Sequence, residues 1–268
     1  MITTRSLTTM VAAVFLAGCA VEIPTHVPEK DLAHVWVKYS ADYEAITRQT
    51  YATATRDLAR FVADKSWSAM PEQTSAEDLP PAVILDVDET VINNVDFQLR
   101  FERPFTDRQL EMWDRQHEAN PVPGVVEFVA AARDAGVTVF FLTNRPCEKY
   151  EDEAEACPQK QTVINGIREL GIAVEPEFVS LAGERPEWKS EKLVRRKVIA
   201  KDYRVIMLIG DDFGDFVSCV RTSVYAPCTA PATHASRAAD VEKYAEYWGN
   251  GWYILPGPMH GSWTSFRE

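Results

Sequence analysis

The chain has 268 residues, 46% of them hydrophobic, and a formal net charge of −12 at pH 7. This length allows one large domain, or one domain with a small appendage, and enough apolar residues for a sizeable core. So acidic a chain argues against nucleic-acid polymers as partners, because their backbones bind Lys and Arg, but a small anion can bind where a metal ion inverts the local charge.

The first 19 residues have the layout of an exported lipoprotein. Arg5 precedes an apolar stretch that ends in Leu16-Ala17-Gly18-Cys19, which resembles a bacterial lipobox. We expect residues 1–18 to be a signal peptide, Cys19 to carry a lipid, and residues 19–29 to be a tether. No Asp follows Cys19, which favours an outer-membrane anchor in the bacterial cell envelope. The alternative is an ordinary signal peptide with a chance Cys.

The rest of the chain, residues 30–268, reads as one domain of alternating helices and strands. In the segment 30–66, apolar and aromatic residues recur every three to four positions, which predicts one long helix or two shorter ones. The first strand, Ala82 to Leu85, is wholly apolar and runs into Asp86 and Asp88. Such a run bounded by polar residues is typical of a buried parallel strand.

Further elements follow in the same alternation. The patterns predict a helical insertion (95–120), helices at Val125–Ala135, Gln161–Leu170 and Glu191–Ala200, strands at Val137–Leu142, Glu177–Leu181 and Val205–Ile209, and shorter apolar runs at Ser223–Ala226 and Trp252–Leu255. Alternating strands and helices predict an α/β fold with a doubly wound parallel sheet.

Polar residues follow the strongest strands, where open α/β sheets bind their ligands. They are Asp86 and Asp88 after the first strand, Thr143 and Asn144 after the second, and Asp211 and Asp215 after the Val205–Ile209 strand, with Lys189 and Lys192 on the basic helix between. Several carboxylates in one crevice stay ionised together only if a hard cation shares them. Oxygen ligands without nearby His or Cys favour Mg²⁺.

This ordered set of motifs, across residues 86–215, resembles the haloacid dehalogenase (HAD) superfamily. DVDET matches its opening motif, Thr143 its second, a lysine its third and GDDFGD its fourth. The lipobox, PVPGVVEF, FFLTNR, WKSEKLVRR and LPGPMHGSW narrow the resemblance to class C acid phosphatases, bacterial lipoproteins that include 5′-nucleotidases. The resemblance implies a Rossmann-like three-layer sandwich with a small helical lid.

The resemblance also implies roles for the polar residues. Asp86 would be the nucleophile that forms an aspartyl-phosphate, and Asp88 would protonate the leaving group and then activate water. Mg²⁺ would be held by Asp86, the Asp88 carbonyl, Asp211 and Asp215. Phosphate would be bound by Thr143, Asn144 and Lys192, with Lys189 as the alternative lysine. A protonated Asp88 predicts an acidic pH optimum, against which a flat rate profile from pH 5 to 9 would count.

Substrate recognition depends on two further positions. In the resembled family, two aromatic side chains sandwich a nucleotide base. Trp113 stands at the first position, whereas His260 stands where the family has Tyr. We therefore expect a small phosphate monoester as substrate, with nucleoside 5′-monophosphates favoured over the alternative of a broad acid phosphatase or phosphotransferase without base preference. The rival from another class is a non-catalytic surface lipoprotein.

Four cysteines remain after Cys19 and form two close pairs along the chain, Cys147 with Cys157 and Cys219 with Cys228. In an exported protein, two local disulfides are the simplest interpretation. Zinc binding is the alternative, although CxxC spacing and a nearby His are both missing, and free thiols remain open. Cys147 to Pro158 looks inserted relative to the family, and as a disulfide loop it would lie beside the crevice. The sequence does not predict an oligomeric state.

Overall fold

The computed structural model describes residues 31–101 and 104–266. The predicted signal peptide, the lipidated Cys19 and the tether lie outside these residues. Within the described ranges, no helix combines the length and apolar character that crossing a bilayer requires.

Five parallel strands form one sheet in the spatial order β3-β2-β1-β4-β5. They are β1 (Pro81–Leu85), β2 (Thr138–Pro146), β3 (Val179–Ala182), β4 (Arg204–Gly210) and β5 (Trp252–Ile254). The last residue of β1, Leu85, pairs with Phe141 of β2 and with Ile209 of β4. The residues that follow these three pairings therefore lie at one edge of the sheet.

Helices cover both faces of this sheet. The α-helices of the described residues are α1 (Leu32–Tyr39), α2 (Ala41–Ala63), α3 (Val95–Arg100), α4 (Asp107–Asp114), α5 (Val125–Asp134), α6 (Pro158–Glu169), α7 (Leu193–Ile199) and α8 (His234–Lys243). Alternate residues of β1 enter different cores: Val83 and Leu85 pack with the cluster that contains α5 and α6 residues, whereas Ala82 and Ile84 pack with the other. The predicted three-layer α/β architecture is confirmed.

The N-terminal segment forms two helices rather than one, because Ser40 ends α1 in an extended conformation and caps α2 through its side chain. Helix α2 packs on α5, and its buried Tyr51 donates a 2.6 Å hydrogen bond to the Thr90 carbonyl in the loop after β1. The N-terminal helices thus support the loop that carries the first acidic motif.

Two differences from the predicted elements have physical causes. Ser223–Ala226 forms no strand and lies between Cys219 and Cys228, with Val224 and Tyr225 each 46% exposed. Helix α8 was not predicted, since none of its residues is buried and it therefore lacks a marked apolar stripe. Neither difference affects the edge of the sheet that carries the acidic residues.

Candidate active site

Three carboxylates meet at the carboxyl edge of the sheet. Asp86 follows β1, Asp211 follows β4, and Asp215 ends the short 3₁₀ turn Phe213–Asp215. One oxygen from each lies within 4.8 Å of the others. Gly210 makes this possible, because a Cβ added there would lie 2.2 Å from Asp215 Oδ2. The predicted group of Asp86, Asp211 and Asp215 is therefore assembled by two adjacent strands and one tight turn.

Lys192 lies among these carboxylates, immediately before α7. Its side chain is only 6% exposed, and its Nζ donates to Asp215 Oδ1 at 2.6 Å and to Asp86 Oδ1. Lys189 is exposed. Of the two candidate lysines, Lys192 is the one that the structure brings into the crevice.

Asp88 has a different environment from Asp86. Its carboxylate accepts hydrogen bonds from Asn94 Nδ2 at 2.8 Å and Thr143 Oγ1 at 2.9 Å, and it forms an ion pair with Arg145 Nη2 at 2.7 Å. Arg145 also pairs with Asp114 of α4. The hydroxyl of Thr143 thus lies within reach of the acidic motif, where in this structure it binds Asp88.

Asn144, predicted to bind phosphate, has its side-chain amide engaged with the backbone and α7. Its Nδ2 donates to the Ser190 carbonyl at 3.1 Å, and its Oδ1 accepts from Arg195 Nη2 at 2.5 Å. Arg195 also donates to the Thr143 carbonyl at 2.5 Å. Asn144 therefore lines the crevice while joining β2 to the segment that carries Lys192.

Burial and neighbouring charges separate the acidities of these groups. Burial, together with the neighbouring Asp215 and Asp88 carboxylates and against the opposing effect of Lys192, raises the pKa of Asp86 to about 7. Burial, followed by Asp86 and Asp215, holds the pKa of Asp211 well above its usual value. Although burial raises the pKa of Asp88, Arg145 and the hydrogen bonds to Asp88 outweigh it and lower this pKa to about 2.

The raised pKa values show that Lys192 alone does not balance the buried carboxylates at neutral pH. A hard cation would complete the balance, and an all-oxygen donor set is the kind that such cations prefer. The residues present thus fit a divalent metal. Asp212 is outside this group: its Oδ1 accepts from Ser262, and its Oδ2 pairs with Arg221 at 3.2 Å.

A crevice of about 730 Å³ opens over the carboxylates. Its wall includes Phe97, Phe105, Leu110 and His260. The Nε2 of His260 contacts the carboxylate of Glu89, so the imidazole is held at the rim by the first acidic loop.

Trp113 is not in this wall. Its ring stacks on His117 at a centroid distance of 3.6 Å, packs near Phe97 and Phe101, and borders a separate depression beside Tyr39. The reason is the orientation of α4, which presents Leu110 to the crevice and Trp113 to the aromatic residues of α3 and its C-terminal end. Of the two predicted stacking residues, the structure brings only His260 to the crevice.

Two contacts were not anticipated from the sequence. Arg145 had no predicted role in the chemistry of the site, yet it holds Asp88 through an ion pair. Thr90, part of the DVDET motif, donates to Asp211 Oδ1 at 3.3 Å. The signal for Arg145 was its place after the strand in FFLTNR, but a sequence does not say which carboxylate a guanidinium will meet.

Both predicted disulfides are formed, Cys147–Cys157 and Cys219–Cys228, with Cα–Cα distances of 4.8 and 5.4 Å. The alternatives of zinc binding and free thiols are therefore wrong. The first disulfide closes a loop that packs beside α4, and the second closes a loop that carries Arg221 at the crevice.

A parallel sheet with a buried carboxylate and lysine cluster at its carboxyl edge defines an α/β enzyme with a site for a divalent metal and an anion. The sequence matches the family described as HAD superfamily, subfamily IIIB (acid phosphatase), over residues 20–263. The chain belongs to this family and is a phosphomonoesterase. HAD phosphatases generally use a divalent metal, which the acidic group fits.

Solved structures of class C acid phosphatase from Bacillus anthracis share the fold. One aligns with a TM-score of 0.67 and 21% identity, covering 87% of this chain and 86% of that chain. Another, with tungstate bound, aligns with a TM-score of 0.68 and 23% identity over the same shares. These structures show that the fold is shared, and the match to the family model confirms the predicted membership of the acid phosphatases of HAD subfamily IIIB.

Proposed function

We propose that this acid phosphatase hydrolyses small phosphate monoesters, with nucleoside 5′-monophosphates as preferred substrates, Mg²⁺ as its metal and Asp86 as its nucleophile. The observation that carries the proposal is the buried cluster in which Lys192 Nζ contacts both Asp86 and Asp215. A lysine here attracts the anionic phosphate and steadies it beside the carboxylate that attacks it.

The two aspartates of the first motif divide the chemistry. A carboxylate oxygen of Asp86 bonds to phosphorus while the bond to the ester oxygen breaks, and Asp88 gives its proton to the departing alcohol. In the second half, Asp88 takes a proton from water as the water oxygen bonds to phosphorus, and the bond to Asp86 breaks. Phosphate leaves, and both carboxylates return to their starting states.

The low pKa of Asp88 describes the protein without substrate. A phosphate dianion beside Asp88 adds negative charge, which raises the pKa of that carboxyl and favours the protonated form needed for the first half. The ionised form, which the lowered pKa favours in the protein without substrate, is the one needed for the second half. The same residue can therefore serve as acid and then as base.

The metal would be held by Asp86, Asp211 and Asp215 together with the Asp88 carbonyl. When bound, it supplies positive charge that screens the carboxylates from the phosphate. Tungstate, an oxyanion like phosphate, is bound in a structure of similar fold, which supports an oxyanion site in this one.

The preference for a nucleotide rests on the aromatic part of the crevice wall, where Phe97 and Phe105 lie with His260 and the carboxylates. An aromatic face stacks on any nucleobase, which gives base binding without strong base selectivity. The second candidate is a broad acid phosphatase without base preference, which the replacement of the family's Tyr by His260 favours.

The function is tested by phosphate release from AMP and from an aryl phosphate, with Mg²⁺ and after chelation. We expect Mg²⁺-dependent release by the wild type and loss of at least about 10³-fold in Asp86→Asn, because the nucleophile is removed. Asp78→Asn, the same change at an exposed aspartate, is the matched control. Phosphate release that survives in Asp86→Asn would overturn the mechanism. No phosphate release by the wild type would favour the alternative function, a non-catalytic surface lipoprotein.

We also propose that Cys19 carries a lipid that anchors the enzyme in the outer membrane, on the strength of the lipobox-like Leu16-Ala17-Gly18-Cys19. Metabolic labelling with a fatty acid, followed by membrane fractionation, should label the wild type but not Cys19→Ser. An unlabelled wild type would refute the anchor.

A further inference from the structure

The loop closed by Cys147–Cys157 lies against the outer side of α4. Glu153 of this loop forms ion pairs with Arg108 and with Arg115, the latter at 2.7 Å. The guanidinium of Arg108 also lies 4.1 Å from the centroid of the Tyr150 ring. The Glu153 carboxylate thus binds two arginines at opposite ends of α4, Arg108 in its first turn and Arg115 directly after its last residue.

The same two arginines are bound by Glu111 of α4. Glu111 is 4% exposed at its side chain, pairs with Arg108 at 3.0 Å and contacts Arg115, and its Oε1 accepts from Thr162 of α6 at 3.4 Å. Two carboxylates and two guanidinium groups therefore alternate in one cluster that joins α4, α6 and the loop. Moving either arginine would leave the buried carboxylate of Glu111 with one partner fewer, so the cluster favours one position of α4 relative to the loop.

Helix α4 buries few side chains of its own. It has eight residues, of which Glu111 alone is buried, and Met112 is 47% exposed. A helix this short is marginal by itself and depends on its tertiary contacts. Those contacts include the rings around Trp113, the Glu153 cluster and the Arg108–Asp152 ion pair on its outer side, and the Asp114–Arg145 ion pair on the crevice side.

The side of α4 away from the loop carries part of the crevice wall, namely Asp107 and Leu110, and Phe105, also in the wall, lies two residues before the helix begins. The position of α4 therefore determines the width of the part of the crevice that would contact the organic half of a substrate. Asp86 and Asp211 directly follow strands β1 and β4, and Asp215 ends a 3₁₀ turn. Lys192 directly precedes α7, so these four groups do not depend on α4 in this way.

We propose that Glu153 is a positioning residue for substrate binding: through Arg108 and Arg115, the disulfide-closed loop holds α4 in the place where it forms the crevice wall. This inference rests on the proposed function and adds to it a device for substrate affinity that is separate from the chemistry. The loop restricts the position of α4, and the Cys147–Cys157 disulfide restricts the conformation of the loop.

The test compares Glu153→Gln with Glu151→Gln, which removes the same charge from an exposed neighbour in the same loop. For Glu153→Gln we expect KM for AMP to rise about three- to tenfold with kcat within about twofold, because a binding wall is loosened while the reacting groups stay in place. Glu151→Gln should match the wild type. An unchanged KM in Glu153→Gln, or a fall in kcat alone, would overturn the proposal.

A second measurement does not depend on activity. Amide hydrogen exchange across Asp107–Asp114 should be faster in Glu153→Gln and in a Cys147→Ser/Cys157→Ser double variant than in the wild type or Glu151→Gln. Equal exchange in all four proteins would contradict the bracing role. If the wild type releases no phosphate at all, the proposed function fails, and the exchange experiment still decides whether the loop holds α4.

Discussion

At the scale of single residues, Arg145 determines how the two neighbouring aspartates differ. Asp86 and Asp88 are both half-buried, yet Asp86 faces Lys192 among other carboxylates and Asp88 faces the guanidinium of Arg145. The planar guanidinium of Arg145 contacts Asp88 through Nε and Nη2 and Asp114 through Nη1, so that separate N–H groups in a fixed geometry serve the two carboxylates. The pKa of Asp88 is lowered as a result, whereas that of Asp86 is raised to about 7.

Replacement of Arg145 by lysine tests this arrangement. The variant keeps the positive charge but loses charge-assisted hydrogen bonds to Asp88, so we expect kcat/KM to fall by about 10- to 100-fold, corresponding to roughly 1.5–3 kcal/mol. The pKa of Asp88 should rise with the loss, and because Asp88 must be protonated in the first half of the reaction, the alkaline limb of the kcat/KM profile should move to higher pH. Arg185→Lys, at an exposed arginine, is the control. An alkaline limb at the same pH in Arg145→Lys as in the wild type would show that Arg145 does not set this pKa.

At the scale of elements, the strands were more predictable than the lid. The apolar runs of β1, β2 and β4 could be read directly, and since parallel strands end at one edge, the meeting of Asp86, Thr143 and Asp211 followed from them. The orientation of α4 could not be read, because Trp113 and Leu110 both face apolar neighbours and only tertiary contacts decide which one faces the crevice. The same limit applies to Glu153, whose partners lie some 40 residues earlier in the chain.

This difference leads to a prediction about the aromatic residues of the lid. Phe105→Ala should raise KM for AMP more than KM for a small aryl phosphate, by about five- to tenfold or more, as expected for the loss of stacking worth about 1–3 kcal/mol. Trp113→Ala should show no such selectivity, since its ring lies outside the crevice. The measurement is the ratio of the two KM values in each variant. If Trp113→Ala is the selective variant, the family's stacking position applies here after all.

At the scale of the whole molecule, the fold concentrates negative charge that it does not neutralise by itself. The sheet brings Asp86, Asp211 and Asp215 together, and Lys192 supplies one positive charge. This arrangement is held rigid by the two hydrophobic cores, by α2, which supports the loop after β1, and by the turn that follows Gly210. The carboxylates therefore cannot move apart to reduce their repulsion. Protonation or a bound cation must relieve it instead.

The stability of the metal-free protein should therefore fall as pH rises. The pKa of Asp86 is about 7 in the folded state and has the ordinary value of 3.8 in the unfolded chain, so the folded protein keeps this proton to a higher pH. The folded state thus binds more protons between these values, and its stability decreases across that range. The titration of Asp88 does not change the free energy of unfolding in this pH range, because its lowered pKa lies below the range. The Asp86 shift corresponds to at most about 4 kcal/mol.

Thermal unfolding of the chelated protein at pH 5 and pH 7.5 measures this effect. We expect the midpoint of the wild type to be lower at pH 7.5 by at least about 3 °C, given roughly 2–4 °C per kcal/mol for a chain of this size. Asp86→Asn should lose much of that difference, because its amide does not titrate. Added Mg²⁺ should raise the midpoint more at pH 7.5 than at pH 5, since ionised carboxylates bind it better. A chelated wild type whose pH dependence equals that of Asp86→Asn would show that the carboxylate cluster is not the source of the instability.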